Sequence, residues 1–127
     1  MTIPFNEHTS VNTVKVIIYL PDRDRFGFPV DSDYWFANFA RFFASIAGGA
    51  TILPTAQGVW LEDDLLISET VQMVSCFMPP SVLQEHVPAL YLLVQDFALK
   101  ANQSTVGVEI GGVFYIVPAL SKEKQLC

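Results

Sequence analysis

Residues 57–78 read QGVWLEDDLLISETVQMVSCFM, two largely apolar runs joined by Glu62-Asp63-Asp64, and the fold turns on this segment. Alternating runs on either side of a polar turn predict a β-hairpin, with a short strand over 57–61 and a long one over 65–78. Successive side chains in a strand point to opposite faces. Leu65, Ile67, Glu69, Val71, Met73, Ser75 and Phe77 therefore share one face, and Leu66, Ser68, Thr70, Gln72, Val74, Cys76 and Met78 share the other. The first set is the expected core face, and Glu69 is the anomaly in it.

The segments flanking the hairpin complete the pattern. Val14–Leu20 (VKVIIYL) is rich in β-branched residues and ends at Pro21, which predicts a first strand. In the following loop, 21–30, Asp22, Arg23, Asp24 and Arg25 stand in a row among prolines and a glycine. Trp35, Phe39, Phe42 and Ile46 recur at helical spacing after a cap at Asp31, Ser32 or Asp33, and Gly48-Gly49 ends that helix near residue 47. Beyond Pro79-Pro80, Ser81 with Gln84 suggests a capping box. Leu83, Val87, Leu90, Val94 and Phe97 follow helical spacing to about Asn102, with Pro88 implying a main helix that starts near Val87. Residues 105–110 and 113–117 alternate around Gly111-Gly112, a dipeptide suited to a tight hairpin.

Strand, helix, strand, strand, helix, strand is the ferredoxin-like βαββαβ sandwich. The last hairpin adds a C-terminal strand, and right-handed crossovers place both helices on one face of an antiparallel sheet. The stretches GGATILPTAQGVW (48–60), SETVQMV (68–74) and NQSTVGVE (102–109) resemble the layout of small uncharacterised bacterial α+β proteins, a resemblance that implies the fold and no activity. A chain of 127 residues suits a single domain. Its ordered core is expected over about 13–118, with a flexible N-terminal arm and a frayed C-terminal tail.

Composition narrows the function. Thirteen acidic residues against seven Lys and Arg give a net charge of −6, which argues against nucleic-acid binding through phosphate neutralisation. Arg41, in the middle of the apolar stretch 34–53, makes membrane insertion costly, and the polar first residues carry no secretory signal pattern. Two cysteines, Cys76 and Cys127, form no disulfide framework, so a reducing, cytoplasmic setting is expected. His8 and His86 with those cysteines lack the spacing of a metal site, no phosphate loop is present, and no cofactor is implied. A Cys76–His86 nucleophilic pair is a weaker reading than a buried structural thiol.

Only 16% of the residues are charged, too few to coat the surface. The leading expectation is accordingly a non-enzymatic, self-associating interaction domain, a homodimer through the sheet face or helix 34–47. On that sheet face Ile17, Tyr19, Val74, Cys76 and Met78 are expected beside Lys15, Thr70, Gln72 and Glu109. The alternative is a small-molecule binding protein or enzyme with a pocket between sheet and helices. In that reading Glu69 is the acid or base, because burial raises a carboxyl's pKa; Arg23 or Arg25 clamps an anion, and Trp60 forms an apolar wall. Gly58, across the hairpin from Glu69, would leave room for the carboxylate or a ligand. Against this, Glu69 could turn outward at a bulge or pair with Arg41 or Arg23.

Overall fold

The computed structural model describes residues 5–6 and 8–121; the expectations for the extreme N-terminal arm, for Glu7 and for the tail from Lys122 to Cys127 lie outside the described residues. The elements are β1 (Val14–Pro21), α1 (Ser32–Ala47), β2 (Thr51–Glu62), β3 (Leu65–Met78), α2 (Pro80–Lys100), β4 (Thr105–Ile110) and β5 (Val113–Pro118). They form a five-stranded sheet in the order β2-β3-β1-β4-β5, every neighbour antiparallel, with both helices on one face. This is the expected ferredoxin-like α+β architecture with its additional strand.

Local chemistry explains most of the boundaries. Asp31 caps α1, its Oδ1 accepting from the Tyr34 amide at 3.4 Å, and Gly48 ends the helix in the left-handed conformation. Asp63 and Asp64 both take positive φ, the geometry of a two-residue hairpin turn that twists with its strands. Strand β2 is longer than the predicted 57–61, because pairing with β3 continues on the far side of a register irregularity between Leu53 and Ala56 and reaches Thr51. Helix α2 is also longer. It begins at Pro80, runs through Pro88 without a break, and has Pro79 at its N-cap with no side-chain bond, so the Ser81–Gln84 capping box does not form.

The core corrects the reading of β3. Val74, Cys76 and Met78 register with Ile18, Val16 and Val14, and these residues of the second face lie under the helices against Phe39, Phe43 and Phe97. The reason is tertiary: β3 is apolar on both faces, and the side that β1 turns toward the helices decides which is covered. Glu69 is consequently no anomaly in a core. It belongs to the open face of the sheet, whereas Val74, Cys76 and Met78, expected there, do not. The outer side of α1, with Ala37, Arg41, Ala44 and Ser45, is exposed.

Candidate functional site

A cleft of about 770 Å³ opens on the sheet face away from the helices. Alternation along the strands brings Tyr19 and Pro21 of β1, Trp60 and Glu62 of β2, Glu69 and Val71 of β3, Gly107 of β4 and Phe114 of β5 to its lining. One end is closed by Asp24 and Arg25 of the loop 22–30 and by Gln103 and Ser104. The loop is anchored there: Gln103 Nε2 donates to the Arg23 carbonyl at 2.7 Å, and the Arg25 amide donates to the Asn102 carbonyl at 3.2 Å.

Asp24 organises the loop from within. Its Oδ1 accepts from the amides of Phe26 (2.8 Å) and Phe28 (2.9 Å). Desolvation works to raise its pKa, but the hydrogen bonds from Phe28, Phe26, the Asn102 side chain and Gly27 together prevail and hold it below the ordinary carboxylate range. Asp24 therefore stays ionised. Arg23 is occupied in the same loop, its Nη1 donating to the Gly27 carbonyl at 3.1 Å, and it does not line the cleft. Phe26 and Phe28 are exposed and do not line the cleft.

Glu69 is half-buried and registers opposite Gly58. A Cβ at residue 58 would lie 3.9 Å from Glu69 Cγ and 3.4 Å from Val71 Cγ2, so the glycine leaves the space over the carboxylate's stem unfilled. Burial first, and the charge of Asp22 second, raise the Glu69 pKa above its ordinary 4.5. No salt bridge to Glu69 is formed among the described residues, and the sheet irregularity falls at Leu53/Ala56 and not at this position. Asp22 Oδ1 is itself enclosed without a hydrogen-bond partner. Across the cleft, the Tyr19 hydroxyl donates to Glu109 Oε1 at 3.2 Å; burial, the Glu109 charge and this hydrogen bond raise the tyrosine's pKa.

Of the residues singled out in the sequence, Glu69, Arg25 and Trp60 thus meet in one cleft and Arg23 stands apart. The cleft does not lie between sheet and helices, as expected, because Glu69 is on the other face. A cavity on the helix side, about 440 Å³ between α2 and the β4–β5 hairpin, is lined by apolar side chains and by Tyr91 and Tyr115, with no carboxylate or cation. Cys76 and His86 are far from paired: the thiol donates to the Gly49 carbonyl at 3.2 Å, while His86 Nδ1 meets the Val82 carbonyl at 2.9 Å. Tyr19, Glu62 and Phe114 escaped sequence reasoning as site residues. The available signal was Gly107, an isolated glycine inside a strand, which marks close approach of another group.

No protein-family model and no curated protein matches the chain. Among solved structures, it is similar to a phage SAM lyase in complex with S-methyl-5′-thioadenosine, with 18% identity, TM-score 0.59, and coverage of 87% of this chain and 92% of that one. A phage SAM lyase in its apo state matches at 15% identity and TM-score 0.57, over 92% of this chain and 98% of the other. The divalent ion tolerance protein CutA1 from Ehrlichia chaffeensis matches at 12% identity and TM-score 0.51, over 90% and 88%. These likenesses establish the shared ferredoxin-like fold. They also overturn the expectation of a non-enzymatic self-associating domain, since the neighbours include a named enzyme. No helix among the described residues is long and apolar enough to cross a membrane.

Proposed function

We infer that this protein binds a small cationic organic molecule in the cleft beside Glu69 and acts on it there, with S-adenosylmethionine as the specific candidate. The observation that carries the reading is Glu69 itself, a half-buried carboxyl without an ion-pair partner among the described residues, facing an open cleft whose other charges are Asp24, Glu62 and Arg25. Three carboxylates against one guanidinium favour a ligand that is positive overall yet carries one anionic group. S-adenosylmethionine, with a sulfonium, an ammonium and a carboxylate, has that balance. Arg25 then clamps the carboxylate, Trp60 forms an apolar wall, and Glu69 is the acid or base.

The charge logic extends to turnover. Breaking a carbon–sulfur bond of a sulfonium sends the bonding pair to sulfur and leaves a neutral thioether, of which S-methyl-5′-thioadenosine is one, while Glu69 takes a proton from the adjacent carbon and that C–H pair becomes a carbon–carbon double bond in the other fragment. Carboxylates that hold the cation have little hold on that thioether. Titration calorimetry with S-adenosylmethionine, followed by chromatography of the mixture, tests this reading. Saturable heat and accumulating thioether, both lost in a folded Glu69→Gln variant, are expected; no heat and no product at millimolar ligand would overturn it.

Association of copies is compatible with this activity. The open face of the sheet exposes Phe77 of β3 and Ile116 of the free edge strand β5, which supports a homodimer through that face more than through helix α1, whose outer side carries small residues and Arg41. A reducing, cytoplasmic setting suits the thiol of Cys76, which is held inside as a hydrogen-bond donor.

A further inference from the structure

We propose that Phe114 is the platform on which a flat heteroaromatic ring of the ligand stacks, so that the cleft selects molecules that join a cationic group to a nucleobase-like ring. This deepens the reading of the cleft given above and rests on it. Phe114 lines the cleft, yet the residue is 58% exposed, a large apolar side chain left open to water.

Its pose is built, not incidental. The ring leans from β5 across to β4 and lies over Gly107, where any other residue would collide with it. A Cβ there would stand 2.6 Å from Phe114 Cζ and 2.9 Å from Cε2, well inside van der Waals contact. The ring also meets Tyr19 edge-on, centroids 5.8 Å apart at 67°, and Tyr19 is in turn tied to Glu109 by its hydroxyl. An aromatic ring fixed on one flank by a glycine and on another by an edge contact gives up little entropy when a second ring stacks on it. Stacking on an aromatic side chain discriminates flat ligands from aliphatic ones of equal charge, because every base has a π-face and an alkyl chain has none.

The test uses the full chain and two sulfonium probes, S-adenosylmethionine and S-methylmethionine, the second lacking the ring. Phe114→Leu keeps apolar bulk and removes the π-face; Phe114→Trp keeps the platform. Affinity for S-adenosylmethionine is expected to fall about tenfold in Phe114→Leu and to hold in Phe114→Trp, with S-methylmethionine unaffected by either change. Gly107→Ala, which displaces the ring without altering it, should reproduce the Phe114→Leu result, with thermal unfolding used to verify that each variant is folded. If the native protein binds S-adenosylmethionine and folded Phe114→Leu binds it equally well, the platform is refuted while the cleft reading stands. If the native protein binds neither probe, both fall together.

Discussion

At the scale of single residues, Glu69 makes a thermodynamic prediction independent of any ligand. Its pKa in the folded protein lies above the ordinary 4.5, so in the interval between the two values the native state holds a proton that the unfolded chain has released. Stability therefore falls as pH rises through that interval and stays lower above it. Glu69→Gln removes the penalty: its melting temperature should exceed the native one at pH 7.5, by no more than about 4 °C given the solvent access of the group, and the difference should vanish below pH 4. Thermal unfolding followed by circular dichroism at both pH values measures it. A variant less stable at pH 7.5 than at pH 4, relative to native, would mean that Glu69 has a stabilising partner in the folded state. The carboxyl itself was legible in the sequence as an odd member of an apolar strand face. Its surroundings were not, because the charge of Asp22 reaches it, and Tyr19 and Phe114 join its cleft, only once the strands are ordered β2-β3-β1-β4-β5.

At the scale of elements, α2 carries a fault that the fold tolerates. Pro88 lies inside Pro80–Lys100 and is exposed, so it deprives the Gln84 carbonyl of an amide donor and packs little in return. Pro88→Ala should stabilise the protein by about 1–2 kcal/mol, less than the full propensity difference because proline also restricts the unfolded chain. Urea unfolding checks this, the midpoint rising with an unchanged slope. The same helix shows where periodicity succeeds and where it stops. Leu90, Val94 and Phe97 face the core as their spacing requires, but a proline in the pattern was read as a boundary, and packing of the turns on either side carried the helix through it. Strand β3 fails in a different way. With apolar residues on both faces, alternation identifies the strand and not its inward side, and only the register with Val16 and Ile18 supplies that.

At the scale of the whole molecule, two properties of the chain oppose each other in association. Exposed apolar side chains gather along β5 and along the β2–β3 hairpin, at Val59, Leu61, Leu65 and Leu66, and both outer strands of the sheet are unpaired edges. Burying such surface favours contact between copies. Each copy also carries a net charge of −6, and bringing two together raises the repulsion that keeps acidic proteins apart. Salt screens the second effect and leaves the first in place, since the Debye length shrinks from about 14 Å at 0.05 M to about 4 Å at 0.5 M. Association should therefore strengthen as salt is added, the reverse of an assembly held by ion pairs. Sedimentation equilibrium at the two ionic strengths is expected to return a mass above the 14.1 kDa of one chain, rising with salt. A mass that falls with salt would place charged groups at the contact, and 14.1 kDa at both ionic strengths would show that the hairpin and β5 stay wetted despite their composition.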